Sequence, residues 1–211
     1  MKNILMHTVF YRKFNELIIR KIVNIKFLRR WLNRSSINPI SLIKQRTVKR
    51  YAKQFSLNTL IETGTCGGEM LLATRKIFKE IHSIELSEFL YKFAKKRLAK
   101  YKHISLYQGN SSEVLPKLLT NIKQPCLFWL DAHYSGGLTT RGDQETPIMK
   151  ELVAIFNHPI DKHVVLIDDA YLFTGEKDYP KLEEVKKFIS TKRKDLTLSV
   201  KFDIIRIHKK I

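Results

Sequence analysis

The sequence is poor in the residues that build disulfide frameworks, collagen or disordered chains. Its 211 residues include only 2 Cys, 8 Gly and 6 Pro. Cys66 and Cys126 are too few and too far apart for a disulfide framework or a metal cluster, so we expect free thiols in a reducing compartment. Because 44% of the residues are hydrophobic, the chain can build one full core, which excludes a disordered or collagen-like protein.

Long apolar runs are also missing. No stretch approaches the roughly 20 uninterrupted apolar residues that a membrane-spanning helix needs. Residues 1–32 are interrupted repeatedly by Lys and Arg, so they lack the apolar centre of a secretory signal. We therefore expect a soluble, cytoplasmic protein.

Acidic residues are scarce, with 20 Asp and Glu against 39 Lys and Arg, which gives a net charge of +19. The excess is concentrated in residues 1–34, where apolar side chains recur at steps of three and four. This pattern predicts a basic amphipathic helix. We assign residues 1–40 to a basic helical extension and residues 41–211 to the main domain. The extension either packs on this domain or a second subunit, or docks on a partner or on anionic lipid at the inner membrane face.

The main domain alternates short apolar runs with helical patterns. The predicted strands are Thr59–Glu62, Ile81–Glu85, Ile104–Tyr107, Cys126–Asp131 and Val164–Asp168. The predicted helices are Ser41–Gln54, Met70–Phe78, Glu88–Leu98, Glu113–Leu119, Ile148–Phe156 and Leu182–Ile189. Repeated strand-helix-strand units with almost continuously apolar strands predict an α/β, Rossmann-like, doubly wound sheet that is mostly parallel.

The end of the chain departs from this alternation. Leu196–Val200 and Phe202–Ile207 are separated only by Lys201, which leaves no room for a helical crossover. We therefore expect these two strands to pair as an antiparallel hairpin. The complete prediction is a seven-stranded sheet that ends in this hairpin.

Acidic residues come directly after the apolar runs. In an open α/β sheet, ligands bind outside the carboxyl ends of the strands. Five of the 20 acids stand at these ends, namely Glu62, Glu85, Asp131, Asp168 and Asp169. An acidic crevice in a basic protein indicates a cationic ligand, a metal ion or ribose hydroxyls.

The first strand continues into a glycine-rich turn. Gly64 and Gly68 permit a tight turn and a close approach of a ligand to the backbone. The lysine of a P-loop and the G-x-G-x-x-G spacing of dinucleotide binders are both missing. Glu85 ends the next strand about 20 residues later, which is the offset at which an acid meets a ribose diol. A turn that only serves packing is the alternative.

Together these residues resemble a class I S-adenosylmethionine-dependent methyltransferase. The resemblance covers about residues 41–211 and rests on the turn Glu62-x-Gly64-x-x-x-Gly68, on Glu85, on Gly109-Asn110-Ser111, on Asp131 and on the terminal hairpin. It implies an enzyme of class EC 2.1.1. Cys66 stands where many members have Gly, and Asn110 stands where many have Asp.

The resemblance also implies roles for individual residues. The turn would lie against the methionine part of the cofactor, Glu85 would bind the ribose hydroxyls, and Asn110 with Ser111 would border the adenine. The implied cofactor-binding residues are Glu62, Gly64, Thr65, Gly68, Glu85, Asn110, Ser111 and Asp131.

The loop after the fourth strand carries candidates for the reaction itself. Methyl transfer to a hydroxyl needs a general base or a metal that binds the oxygen. His133 is the candidate base, with Asp131 as a second catalytic candidate. Asp131, Asp168 and Asp169 are candidate ligands for Mg²⁺, in a placement similar to that of metal-dependent small-molecule O-methyltransferases. Alternatively, His133 is a hydrogen-bonded loop residue, and Asp168 or Asp169 caps the next segment.

The predicted function is methyl transfer from S-adenosylmethionine to an oxygen of a small hydroxylated acceptor, such as a sugar or a glycan precursor. Nucleic acid is not the favoured acceptor, because Asp131-Ala132-His133-Tyr134 stands where enzymes acting on nucleic-acid amino groups carry a Pro-Pro-aromatic turn. Two alternatives stay open. One is a nicotinamide-dependent oxidoreductase or epimerase, and the other is a non-catalytic basic adaptor that binds membranes or RNA.

Overall fold

The computed structural model describes residues 39–132 and 146–210. The predicted basic extension, apart from its last two residues, and His133 with the glycine-rich loop around it lie outside the described residues. Within the described part of the chain, no helix is long and apolar enough to cross a membrane.

Seven strands and six α-helices follow one another along the chain in the described ranges. The strands are β1 (Thr59–Thr63), β2 (Glu80–Glu85), β3 (Ile104–Gln108), β4 (Leu127–Leu130), β5 (Val164–Ile167), β6 (Leu196–Lys201) and β7 (Ile204–Lys209). The helices are α1 (Pro39–Gln54), α2 (Glu69–Thr74), α3 (Glu88–Leu98), α4 (Ser111–Leu119), α5 (Ile148–Asn157) and α6 (Leu182–Lys192). A 3₁₀ turn at Ala170–Leu172 follows β5.

The strands form one sheet in the order β3-β2-β1-β4-β5-β7-β6. The first five strands pair in parallel, and β7 runs antiparallel between β5 and β6. The predicted fold class is thereby confirmed. The strand order reverses between β1 and β4, which is where open α/β sheets bind ligands at the carboxyl ends of their strands.

The central strands are buried on both faces, which explains why they do not alternate apolar with polar residues. All residues of β1, β4 and β5 are buried. On one face Phe128 packs in a cluster with residues of α4, α5 and α6, and on the other Trp129 packs with Val48 and Tyr51 of α1. The strands whose ends carry the candidate site are therefore packed on both faces of the sheet.

Two helices begin at a residue whose side chain caps the backbone. Ser87 accepts a hydrogen bond from the N–H of Leu90 at the start of α3. Asn110 Oδ1 accepts one from the N–H of Ser112 at the start of α4. The helix predicted over Met70–Phe78 is shorter, because α2 ends at Thr74 and the chain turns there to bury Phe78 before entering β2.

The hairpin connection differs from the prediction. Lys201 is the last residue of β6 and pairs with Ile204, so the two-residue turn is Phe202–Asp203. Both turn residues have positive φ, 53° and 60°, as in a type I′ turn. The placement of Lys201 between the strands was wrong because a phenylalanine occupies a position where Asn or Gly usually marks such a turn.

Candidate cofactor and acceptor site

The glycine turn after β1 is held close to two neighbouring strand ends. The N–H of Gly64 donates to the carbonyl of Ile84, with an N···O distance of 2.9 Å. Gly64 has φ +88°, and a Cβ at this position would lie 2.4 Å from the carbonyl oxygen of Asp131. Only glycine fits here, because any side chain would both strain the backbone and collide with the chain after β4. The turn thus presents bare backbone at the switch point of the sheet.

Glu85 ties the end of β2 to this turn. Its Oε2 accepts the N–H of Cys66 and its Oε1 accepts the N–H of Ser87, both at 2.8 Å. Burial raises the pKa of Glu85, and the two backbone hydrogen bonds oppose that rise. Each carboxylate oxygen has a second lone pair, so the fixed carboxylate can still accept hydrogen bonds from two ligand hydroxyls.

Glu62 and Thr65 belong to one buried hydrogen-bond chain beneath the turn. The hydroxyl of Ser83 donates to Glu62 Oε2 at 2.5 Å and lies 2.6 Å from the hydroxyl of Thr65. Burial raises the pKa of Glu62 well above its usual range; the hydrogen bond from Ser83 opposes this, and the nearby charge of Asp131 adds to it. These two predicted cofactor-binding residues therefore form buried hydrogen bonds with Ser83 of β2 next to the glycine turn.

Asn110 and Ser111 follow β3, at the outer side of the turn. The N–H of Gly109 donates to the carbonyl of Glu85 at 2.9 Å. This segment therefore lies beside Glu85, the candidate ribose-binding residue. Asn110 Oδ1 accepts from both the N–H and the hydroxyl of Ser112. The side-chain oxygen of Asn110 is thus used for the helix cap, and its amide N–H₂ is the group that can face a ligand.

The three predicted metal ligands lie together, as the parallel pairing of β1, β4 and β5 requires. The N–H of Asp131 donates to the carbonyl of Thr63, and the N–H of Asp168 donates to the carbonyl of Leu130. One carboxylate oxygen from each of Asp131, Asp168 and Asp169 lies within 4.8 Å of the other two. We call these three residues the aspartate cluster.

Lys44 of α1 reaches into the aspartate cluster, and sequence reasoning missed it. Its Nζ lies 2.5 Å from Asp168 Oδ2 and 3.2 Å from Asp169 Oδ1. Burial would lower the pKa of Lys44, but the hydrogen bond and charge of Asp168, together with the charges of Asp169 and Asp131, raise it above its ordinary value. The side chain is therefore an ammonium group at neutral pH.

Asp168 is the most enclosed member of the cluster, with a side chain only 1% exposed. Burial and the charge of Asp131 raise its pKa, while the hydrogen bond and charge of Lys44 oppose that rise. Its Oδ2 bonds to Lys44, whereas its Oδ1 has no hydrogen-bond partner in the described part of the protein. The cluster therefore contains a buried oxygen that can still accept a hydrogen bond.

The spacing of α1 explains why a lysine enters the site. Val48 and Ala52 are buried against the sheet, and Lys44 precedes them by one and two helical turns. Residues at these steps share one helix face, so Lys44 lies on the core side of α1 at its N-terminal half. This spacing was the signal in the sequence that could have found it.

The aspartate cluster offers the hard oxygen donors that Mg²⁺ prefers. The ammonium of Lys44, however, already bonds to Asp168 and Asp169. Like unit charges about 4 Å apart repel by about 4 kcal/mol at an effective dielectric constant near 20, and a divalent ion doubles this cost. The cluster thus fits a cation, and Mg²⁺ would have to displace the lysine that is already there. The Mg²⁺ site stays a prediction.

Two further residues that the sequence did not single out shape the site. Tyr179 packs edge-on against Phe173, with 5.4 Å between ring centroids. Burial raises the pKa of Tyr179, and the nearby charges of Asp169 and Asp131 in the aspartate cluster add to that rise. Its hydroxyl is therefore protonated at neutral pH. Arg97, from the last turn of α3, donates to the carbonyl of Gly67 and to Glu69, which fastens the glycine turn to that helix.

Comparisons with known proteins identify the fold. No family model matches the chain, and no curated protein matches it by sequence. An O-methyltransferase from Bacillus cereus in complex with S-adenosylhomocysteine (SAH) superposes with a TM-score of 0.62 at 11% identity, covering 90% of each chain. The O-methyltransferase TomG from Streptomyces achromogenes in complex with S-adenosylmethionine superposes with a TM-score of 0.59 at 17% identity, covering 82% of this chain and 81% of TomG.

A third structure, a putative caffeoyl-CoA O-methyltransferase from Staphylococcus aureus, has a TM-score of 0.60 at 13% identity and covers 89% of this chain and 92% of its own. The chain has the class I methyltransferase fold. At these identities the likeness concerns the fold, so function must be argued from the site. Within this methyltransferase fold, Glu85, the glycine turn and the aspartate cluster all stand at the carboxyl edge of the sheet.

Proposed function

We propose that the chain is an S-adenosylmethionine-dependent methyltransferase that acts on an oxygen of a small hydroxylated acceptor. The observation that carries the proposal is the buried carboxylate of Glu85, fixed by the N–H of Cys66 within the glycine turn. It puts an acceptor for a ribose diol beside bare backbone at the switch point of the sheet. The solved O-methyltransferases with S-adenosylmethionine or SAH bound support the same cofactor.

The cofactor would lie across the ends of β1, β2 and β3. Its ribose hydroxyls would donate to Glu85, its adenine would meet the amide of Asn110 and the hydroxyl of Ser111, and its methionine part would rest on Gly64. The sulfonium of S-adenosylmethionine is a cation, and the chain carries a net charge of +19. The carboxylates of this edge offset that field where the cofactor binds.

The reaction is a direct displacement at the methyl carbon. Bound S-adenosylmethionine would supply the methyl group: the acceptor oxygen would bond to this carbon as the carbon–sulfur bond breaks, and the bonding pair would stay on sulfur to give SAH. Asp131 is placed between the two halves of the site, because its carbonyl oxygen contacts Gly64 and its carboxylate belongs to the aspartate cluster. We propose that Asp131 takes the proton of the acceptor hydroxyl as general base, with His133 as the second candidate base.

A sugar or glycan precursor is the acceptor class that we propose. The aspartate cluster supplies carboxylates that accept hydrogen bonds from hydroxyls, and Lys44 supplies a donor. An alcohol with several hydroxyls makes use of both kinds of group. The peripheral membrane role of the basic extension and its cytoplasmic location stay predictions.

Calorimetric titration with SAH tests the proposal. We expect the wild-type protein to bind, and Glu85→Gln to bind about 10-fold to 100-fold more weakly, since hydrogen bonds to a charged group contribute about 1.5–3 kcal/mol. Glu88→Gln is the matched control, because Glu88 is exposed and its ion pair among the described residues is with Lys92 of the same helix. Equal affinity of Glu85→Gln and wild type would contradict the assigned cofactor site.

Binding assays on the same protein distinguish the two alternative functions, the nicotinamide-dependent enzyme and the non-catalytic adaptor. If neither SAH nor S-adenosylmethionine binds, the methyltransferase proposal fails, and titration with reduced and oxidised nicotinamide cofactors then tests the oxidoreductase. If no cofactor binds and retention on liposomes or RNA depends on residues 1–34, the non-catalytic adaptor is supported instead. With cofactor binding established, incubation with labelled S-adenosylmethionine and a panel of sugars identifies the acceptor.

A further inference from the structure

We propose that Lys44 is the resident cation of the aspartate cluster, in the position that a divalent metal would otherwise take, and that it binds the acceptor oxygen. The acceptor part of this inference rests on the proposed function. The cation part stands on the geometry of the cluster alone and is tested separately.

The contacts of Lys44 are those expected of a bound cation. Its Nζ lies within hydrogen-bond distance of both Asp168 and Asp169. Three carboxylates so close together repel one another unless a positive charge lies among them. Among the described residues, Lys44 supplies this positive charge. Its ammonium group donates hydrogen bonds to the carboxylate oxygens, whereas a metal ion would accept their lone pairs.

The lysine is held in place by its helix. Val48 is fully buried, and Tyr51 and Ala52 are nearly so, against strands of the sheet on the same face of α1. An ion pair to a side chain anchored in this way costs less conformational entropy than one between two exposed flexible side chains. Displacement of Lys44 by a metal would leave an ammonium group without its two carboxylate partners.

The position of Lys44 gives it a role at the acceptor. An ammonium group has three N–H donors, of which Asp168 and Asp169 take two. The third can donate to an acceptor hydroxyl at the cluster, where it stabilises the negative charge that develops on the oxygen as its proton leaves for the proposed base. Methyl transfer by this chain is then independent of divalent cations.

Manganese binding tests the cation part without any acceptor. Mn²⁺ is the probe, followed by electron paramagnetic resonance and calorimetry on the full chain. We expect no stoichiometric binding to the wild type, and one bound Mn²⁺ in Lys44→Met, at least about tenfold tighter than any binding to the wild type. Lys44→Arg keeps a cation and should exclude Mn²⁺. Lys53→Met removes the same charge from an exposed position of α1 and should behave as the wild type.

A second substitution locates the gained site. In Lys44→Met combined with Asp169→Asn, the gained Mn²⁺ binding should be lost, because one of the three carboxylates is gone. Stoichiometric Mn²⁺ binding by the wild type would overturn the inference, since the cluster would then hold a metal beside or instead of Lys44. Folded Lys44→Met protein that binds no Mn²⁺ would overturn it too, because no metal position would exist for the lysine to fill.

SAH titration separates this inference from the proposed function. Far-ultraviolet circular dichroism and SAH affinity should be unchanged in Lys44→Met, because Glu85 and the glycine turn are not altered. A protein that binds no SAH but gains Mn²⁺ on loss of Lys44 would refute the methyltransferase and keep the resident cation. A wild-type protein that binds both SAH and Mn²⁺ would support the methyltransferase and refute the resident cation. With an acceptor in hand, activity should persist in EDTA for the wild type.

Discussion

Glu151 gives the sharpest test of how this fold tolerates a buried carboxyl group. It lies on α5, 1% exposed, and its Oε1 has no hydrogen-bond partner among the described residues. Burial raises its pKa from the ordinary 4.5 to about 7, against an opposing effect of the Ser111 hydroxyl. Each pKa unit corresponds to about 1.4 kcal/mol, so ionising Glu151 in the folded protein costs about 3 kcal/mol more than in the unfolded chain.

The raised pKa of Glu151 determines how the stability of the fold changes with pH. Because the folded state holds the proton more tightly, the contribution of Glu151 is fully present below pH 4.5 and is lost as the pH rises through about 7. Glu151→Gln keeps a neutral group of the same shape. We therefore expect this variant to be more stable than the wild type by up to about 3 kcal/mol at pH 8, and nearly equal to it at pH 4.5.

Urea unfolding followed by circular dichroism at pH 4.5, 6, 7 and 8 measures this difference. Glu183→Gln is the control, because Glu183 is exposed on α6 and, in the part of the chain that the structure describes, forms a surface ion pair with Lys186. It should show no comparable dependence on pH. A stability difference between Glu151→Gln and wild type that does not change with pH, or a variant that is less stable at pH 8, would refute the reasoning.

Three further predictions concern the glycine turn, the hairpin and the thiols. Gly64→Ala should abolish SAH binding measured by calorimetry, because its Cβ would collide with the backbone after β4 at a positive φ; retained affinity would contradict this. Phe202→Asn with Asp203→Gly should raise the free energy of unfolding by about 1 kcal/mol, because both positions have positive φ; a less stable variant would contradict this. Burial raises the pKa of both thiols, so a thiol reagent should react slowly with native protein, but it should reach exposed Cys66 before buried Cys126, which reacts only when urea unfolds the chain; equal native reactivity would contradict this.

The centre of the sheet could be predicted because β4 and β5 are continuous apolar runs and β1 is nearly so, and all three are buried on both faces. Acids of the site stand at or directly after the ends of these runs. Parallel pairing then brings the ends of β1, β4 and β5 to one edge without any knowledge of side-chain contacts. This is why the aspartate cluster could be named from the sequence.

Contacts between distant parts of the chain could not be predicted in the same way. Lys44 and Asp168 are 124 residues apart, and nothing near either residue indicates the other. Only the position of Lys44 on the buried face of α1 points toward the sheet. The turn at Phe202–Asp203 was missed for a local reason, since neither residue is the glycine or asparagine that a positive φ favours.

Asp131 connects the two halves of the site through different parts of one residue. Its carbonyl oxygen closes the space that a side chain at position 64 would need, so it fixes the backbone on which the cofactor would lie. Its carboxylate belongs to the aspartate cluster with Lys44. A shift of the chain after β4 would therefore move the glycine turn and the aspartate cluster together. Methyl transfer needs the acceptor oxygen in line with the carbon–sulfur bond. Asp131 would therefore keep the acceptor aligned with the methyl group of the cofactor.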